Sequence, residues 1–387
     1  MRIINRTVII LSVVSLFADI ASEMIYPVIP VYLKEIGFSV LLIGILEGVA
    51  EFTAGISKGY FGKLSDEKGV RLPFIKSGYF FSAISKPMMA MLTFPLWIFF
   101  ARTIDRFGKG LRTAARDAIL SQQSTKETKA KVFGFHRSLD TLGAAIGPTI
   151  ALLYLYFFPK HFTTLFYFAF IPGIIAVLLI FLLHEKKQPV STLGKGNFFS
   201  FFKYWKVATD EYKKLTVGLL LFALFNSSDV FLLLITKEVT NSETITIGAY
   251  IFYNIIYALA SYPLGSLADK IGIKNVFTFG LIMYTIVYAG FSFHPPLFLI
   301  FTFFFIYGIY AAATEGITKA WVTNIAHDHD TATAVGFYTS CQSICSLLAS
   351  IIAGAVWVSL GSSFTFGATA IIAFFLIFYF RLTFSKN

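Results

Sequence analysis

The feature that most constrains this chain is a succession of apolar runs, each about as long as a bilayer is thick. A helix crossing the ~30 Å hydrocarbon layer needs about 20 mainly apolar residues. Twelve such runs can be read, at 7–33, 39–62, 72–93, 95–118, 131–157, 162–183, 215–236, 246–267, 274–293, 296–323, 331–358 and 362–382. The spacing predicts twelve transmembrane helices. Composition agrees: 56% of residues are hydrophobic and only 14% charged, where a soluble globular chain carries roughly a quarter charged residues. Such a chain lacks the polar surface to cover itself in water, which excludes two or three soluble domains.

The net charge of +11 does not point to nucleic acid, because Lys and Arg gather in short connectors as membrane topology requires. The one long polar stretch, 184–214, carries Lys186, Lys187, Lys195, Lys203, Lys206, Lys213 and Lys214. It divides the chain into an N-terminal six-helix bundle at 1–183, a linker at 184–214 and a C-terminal bundle at 215–387. The basic connectors alternate, including Lys63–Lys76, Lys126–Lys131, the linker and Lys270–Lys274. Both termini are therefore expected on the cytoplasmic side. Arg2 and Arg6 precede a long apolar run without a small-residue cleavage site, which reads as a retained first helix. Cys341 and Cys345, four apart in one apolar run, read as small core residues.

The halves repeat each other at an offset near 203 residues. Gly62-Lys-Leu-Ser-Asp66 with Gly69 and Arg71 matches Gly265-Ser-Leu-Ala-Asp269 with Gly272 and Lys274. Lys34-Glu35 falls on Lys237-Glu238, Arg116 on Lys319, and Gly134-Phe135 with Ser138 on Gly336-Phe337 with Ser340. Repeats with an even number of spans share one orientation, and substrate then binds near the midplane between them.

These residues resemble the major facilitator superfamily over the whole chain. Gly59-Tyr-Phe-Gly62-Lys-Leu-Ser-Asp66-Glu-Lys-Gly69-Val-Arg71 is similar to that family's loop signature between spans 2 and 3, and Gly265–Lys274 copies it. Gly134, Gly143 and Gly147-Pro148 in span 5 resemble the antiporter signature of its drug:proton exporters, departing at Ala151-Leu152 where a glycine pair is expected. Arg106-Phe-Gly-Lys109-Gly110 is loosely similar to a third signature. The resemblance implies an all-α fold of two pseudo-symmetric six-helix bundles, working by alternating access, with spans 1, 4, 7 and 10 lining the cavity. Physically, Gly62 lets helices approach closely, and Asp66 near Arg71 can pair with bases or cap a facing helix. Gly62, Asp66, Arg71, Gly265, Asp269, Gly143, Gly147 and Pro148 are the expected conformational gate.

Ionisable residues in spans cost about 2.5–3.5 kcal/mol each on insertion scales, so they normally face a bundle interior or a watery cavity. Span 1 carries Asp19 and Glu23, span 2 Glu47 and Glu51, and span 5 Arg137 and Asp140. Span 4 carries Arg102, Asp105, Arg106, Lys109, Arg112, Arg116 and Asp117. Spacings of three and four place these on one helical face, a polar stripe with Asp19, Glu51 and Arg106 close to the midplane. Lys86 and Lys58 read as snorkelling or packing charges. In the second half Glu23 becomes Asn226, Glu51 becomes Asn254 and Asp140 becomes Gln342. Charge is thus not demanded by the fold alone, Asp229, Glu315 and Lys319 being exceptions.

The reading that follows is a proton-coupled secondary transporter of a small anionic or zwitterionic solute across the bacterial inner membrane, with export favoured. Arg102, Arg106, Arg112, Arg116, Asn226, Asn254, Glu315, Lys319 and Gln342 are the expected substrate-binding residues, since guanidinium forks suit carboxylate and phosphate. Asp19, Glu23, Glu47, Glu51, Asp105 and Asp140 are the expected proton-coupling residues. The second reading is an importer on the same fold. A membrane enzyme is weaker, because no His-Glu-x-x-His, Gly-x-Ser-x-Gly or Cys/His cluster occurs. Partners are then a small-molecule substrate, protons and membrane lipid, with the chain acting as a monomer and no nucleic acid, cofactor or metal implied.

Overall fold

The computed structural model describes residues 3–185, 197–226 and 229–384, so Lys186, Lys187 and Lys195 lie outside the described residues. The described chain is helical, with no strand among the described residues. The first six spans comprise α1 (Arg6–Ile25) with α2 (Ile29–Glu35), α3 (Val40–Lys68), α4 (Leu72–Met91), α5 (Pro95–Gln122), α6 (Lys129–Phe157) and α7 (Phe162–Ile180). A 3₁₀ turn (Phe198–Lys203) and α8 (Tyr204–Val207) follow. The remaining spans are α9 (Asp210–Phe225) with α10 (Val230–Thr240), α11 (Glu243–Ile271), α12 (Ile273–Phe291), α13 (Leu297–Ile325), α14 (Thr331–Leu360) and α15 (Ser362–Thr383).

Nine of these spans among the described residues are long and apolar enough to cross a membrane by length and composition. The other three, α3, α4 and α5, run for 29, 20 and 28 residues, and α3 and α5 hold most of the acids and bases singled out above. Their lower hydropathy is the cost of the polar stripe and not a lack of length.

Local chemistry sets the ends. Asn5, Ser39, Thr209 and Ser242 each accept a hydrogen bond from a first-turn N–H, those of Val8, Leu42, Tyr212 and Ile245 respectively, satisfying donors a helix leaves open. Gly69 ends α3 with φ +63°, a conformation that suits glycine. The Glu185 carboxylate reaches back to the N–H groups of Arg71 and Leu72 at 2.8–3.0 Å and caps α4.

Two spans read as continuous are interrupted. α1 gives way to α2 around Tyr26–Val28, where Pro27 and Pro30 supply no backbone donor. α9 ends at Phe225, with Asn226 in extended backbone, and α10 begins after Asp229. No proline marks this break, but a short amide side chain such as that of Asn226 competes for backbone hydrogen bonds. The repeat aligns the breaks: Glu23 with Asn226, and Tyr26 with Asp229.

The chain forms two compact units, one of Met1–Ser124, Leu139–Val207 and Ala326–Ser340, the other of Thr125–Ser138, Ala208–Ile325 and Cys341–Asn387. In the first, α5 packs on α3 and α4, and α7 on α1 and α4. In the second, α13 packs on α11 and α12, and α15 on α12 and α9. α6 changes unit after Ser138 and α14 after Ser340, which are matching positions of the repeat.

The repeat extends to individual contacts. In the first unit α3 crosses the start of α14, where a Cβ added at Gly62 would stand 2.4 Å from the Ala332 carbonyl oxygen. In the second, α11 crosses the start of α6, and a Cβ at Gly265 would stand 2.4 Å from the Ala130 carbonyl oxygen. Ser340 donates to the Gly55 carbonyl at 2.6 Å and Ser138 to the Ala258 carbonyl at 2.5 Å.

Candidate functional site

The polar stripe of α5 lies inside the first unit, and its members fare differently. Arg102, 1% exposed, forms a fork with Glu47 of α3, Nε to Oε1 at 2.8 Å and Nη2 to Oε2 at 2.9 Å. Its Nη1 reaches Asp105 Oδ2 at 3.2 Å. Asp105 also accepts from Lys86 Nζ at 2.6 Å and Ser82 Oγ at 2.7 Å. Lys86 is therefore not a snorkelling charge: it is buried and paired in the interior, with Ser22 Oγ 3.2 Å away. Charges from three spans, with Ser22 of a fourth, meet in this cluster, and every charge in it has an opposite partner.

Arg106 Nε stands 3.2 Å from Glu51 Oε1 and faces the ring of Tyr26 at 5.8 Å, beside the break between α1 and α2. Glu51 is exposed over half its side chain. Lower on the stripe, Arg116 holds Asp117 at 3.0 Å and Ser15 Oγ at 2.9 Å, with Asp140 of α6 at 4.0 Å.

Arg112 and Lys109 differ from these. Arg112 is 4% exposed, lies over the Tyr79 ring at 4.5 Å, and its Nη1 has no hydrogen-bond acceptor among the described residues. Lys109 is half-buried, with no carboxylate within 4.0 Å among the described residues. Asp19 is half-buried too, within electrostatic reach of Asp140, Lys109, Glu23 and Arg112. The antiporter-like glycines set this spacing. A Cβ at Gly143 would lie 2.6 Å from the Leu16 carbonyl oxygen and 3.0 Å from Asp19 Cβ, and one at Gly147 2.7 Å from the Met24 nitrogen. They press α6 against α1 beside Asp19.

The second unit carries amides and phenols instead. Asn226 donates to Tyr310 Oη at 3.2 Å and accepts from Tyr284 Oη at 3.0 Å. Tyr253 donates to Asp229 at 2.5 Å, and Asn254 turns to its own helix, donating to the Tyr250 carbonyl. Ring contacts link Tyr253, Tyr307, Tyr310, Tyr284 and Tyr288 in one chain. Glu315 lies 3.7 Å from Arg137, which also donates to Tyr257. Lys319 and Gln342 are half-buried. Composition gave no reason to single out this tyrosine chain, and Arg137 reads from sequence as a charge in span 5 without a site role. The signal was the spacing, Tyr250, Tyr253 and Tyr257 on one helix face and Tyr307 and Tyr310 on another.

At the signature loops Asp66 accepts from Arg71 Nη2 at 3.0 Å and from the Thr333 N–H and hydroxyl at 2.7 and 2.9 Å. Asp66 thus caps the start of α14. Asp269 does the same for α6, accepting from the N–H groups of Ala130 and Lys131 at 3.0 and 2.8 Å. The likeness stops at the base: Lys274 donates to the Phe384 carbonyl, not to Asp269.

A helical, multi-pass membrane protein built from two repeated halves, with paired charges inside the first and matched caps at both signature loops, has the architecture of a secondary transporter. The family model of the Major Facilitator Superfamily matches residues 11–251 and 215–387, and the chain belongs to that superfamily. It is 33% identical to an uncharacterised MFS-type transporter of Methanocaldococcus jannaschii over 98% of this chain and 96% of the relative. It is 26% identical over 44% of its length to 43% of the quinolone resistance protein NorA of Staphylococcus aureus. Among solved structures, the human organic anion transporter MFSD10 superposes with a TM-score of 0.82 at 16% identity, covering 97% of this chain and 99% of that one. The transporter FucP in its outward conformation gives 0.77 at 10% identity, covering 98% and 99%. These likenesses establish the fold.

Proposed function

We propose that the protein is a proton-coupled secondary transporter that exports a small anionic or zwitterionic solute across the cell membrane, with both termini cytoplasmic. The observation that carries this reading is the pairing along α5. Arg102, Arg106 and Arg116 each have a carboxylate within 4.0 Å, whereas among the described residues neither Arg112 nor Lys109 has one, and the buried Arg112 Nη1 has no acceptor there. A buried cation left short of acceptors is costly, and an anionic solute would satisfy it. Lys109 and Arg112 are then the anion-binding pair, Asp19 with Asp140 the proton-exchanging group, and Arg106 with Glu51 a boundary pair. Close acids titrate together, so the proton belongs to the group. Arg102, Glu47, Asp105 and Lys86 hold α3, α4 and α5 together. Asp66 and Asp269, with the crossings at Gly62 and Gly265, gate the movement of the halves at 1–183 and 215–387. Export is favoured by the efflux and drug-resistance relatives.

Thermal unfolding of the purified protein with citrate, 2-oxoglutarate, a hydroxamate siderophore and ethidium tests the solute class. A ligand at a hundred times its Kd stabilises by about 2.7 kcal/mol. A carboxylate should stabilise the wild type, and Arg112→Ala should weaken its binding roughly 10- to 100-fold, as loss of a charged hydrogen bond predicts. Stabilisation by ethidium alone, or carboxylate binding unchanged in Arg112→Ala, contradicts the assignment.

A further inference from the structure

The connector between α7 and α9 reads from sequence as a basic linker, but its described part has two distinct faces. Ser200, Phe201 and Tyr204 are buried. Phe201 covers α3 where it has no side chain: a Cβ at Gly59 would lie 2.5 Å from the Phe201 ring. Phe198 packs on Tyr60 with centroids 4.7 Å apart. Phe202 and Trp205 flank Phe337 of α14, at 6.0 and 5.8 Å. The inner face thus clasps α3 and α14 at their crossing.

The outer face carries Phe199 and Val207, exposed by 61 and 55%, and the outward edges of Phe198 and Phe202, which remain 42 and 39% exposed beyond their inner contacts. Lys203 and Lys206 are exposed among them. Large apolar side chains crowded onto a ten-residue segment mark an interaction surface. α7 before the segment and α9–α10 after it are both long and apolar enough to cross a membrane, which puts the segment that joins them at a membrane face. Aromatic residues mixed with lysines suit the headgroup boundary, where apolar groups enter the acyl region and cations meet lipid phosphates.

We propose that residues 198–207 form a membrane-surface site for anionic phospholipid. Phe199, Phe202 and Val207 enter the acyl boundary, and Lys203 and Lys206 hold the headgroup phosphates. Because the inner face grips the α3–α14 crossing, lipid bound outside loads the contact that Asp66 and Gly62 make inside.

Trp205 lies within the segment and reports on it directly. The full-length protein is reconstituted in phosphatidylcholine vesicles in which either the phosphatidylglycerol or an equal fraction of phosphatidylcholine is brominated near the headgroup end of its chains. Quenching assigned to Trp205 is the difference between the wild type and Trp205→Phe. Brominated phosphatidylglycerol should quench it several-fold more than brominated phosphatidylcholine, as two lysines at a charged surface enrich anionic lipid on the order of tenfold. The preference should vanish in Lys203→Gln/Lys206→Gln and return in Lys203→Arg/Lys206→Arg. Equal quenching by both lipids, no quenching, or a preference surviving in the glutamine variant overturns the proposal. The readout requires no transported solute, so it stands or falls apart from the transport reading.

Discussion

Two cations on neighbouring helices illustrate how little a residue's type says about its task. Lys86 and Lys109 lie in the same unit, yet Lys86 is enclosed with Asp105 at 2.6 Å while Lys109 has no carboxylate within 4.0 Å among the described residues. Removing one member of a buried, hydrogen-bonded ion pair costs about 3–5 kcal/mol because its partner is left uncompensated. Lys86→Met should therefore lower the unfolding temperature sharply in detergent, and Asp105→Leu should do the same. Lys109→Gln should stay within about 0.5 kcal/mol of the wild type, as substitutions away from packed networks do, and lose anion binding instead. Equal loss of stability in both lysine variants would contradict the division into structural and solute-binding cations. The stripe itself was legible, since three- and four-residue spacing puts its members on one face. The partner of each member was not, because a sequence gives the order of charges along a helix but not which neighbour faces them. That is why Lys86 reads as peripheral until α4 is set against α5.

At the scale of elements, the signature glycines act by letting backbones touch. Gly62 and Gly265 stand where an added Cβ meets a carbonyl oxygen at 2.4 Å, too close for any relaxed contact. Gly62→Val should force α3 from α14 at a cost of about 1–3 kcal/mol, the usual penalty for overpacking, and Gly265→Val should cost the second unit a similar amount. Thermal unfolding measures both; an unchanged midpoint in either would show that the crossing yields without strain. Asp66→Asn should lose the Arg71 ion pair while keeping an acceptor for Thr333, so its loss of stability should be smaller than that of Asp66→Ala. These crossings were legible as a duplicated motif. The interruption of α9 and α10 was not: the first repeat announces its break with Pro27, while in the second Asn226 leaves the helix without a proline to signal it. Interrupted helices at corresponding places in two halves are a pointer to a transporter's binding region. Here one break borders Arg106 and Glu51, the other Asn226 and Asp229.

For the whole molecule, duplication was the most legible property and its asymmetry the most informative. Both units carry the same crossing, the same serine-to-carbonyl bond and the same aspartate cap. Among the described residues the dense charge network lies in the first unit, while the second builds with asparagine and tyrosine. Sequence comparison of the halves exposed the substitutions of Glu23, Glu51 and Asp140 by amides, but not the tyrosine chain that surrounds Asn226. Nor did it show that α6 and α14 each run through both units, which depends on contacts far apart in sequence. The central claim is that Asp19 and its neighbours in the first unit exchange protons for an anionic solute bound by Lys109 and Arg112. The most direct measurement is uptake, into proteoliposomes held acidic inside, of the carboxylate that stabilises the purified protein. Exchange of outgoing protons for incoming solute predicts accumulation above the external concentration, abolished in Asp19→Asn while binding persists. Accumulation only when the outside is acidic, or mere equilibration under both gradients, would contradict the account.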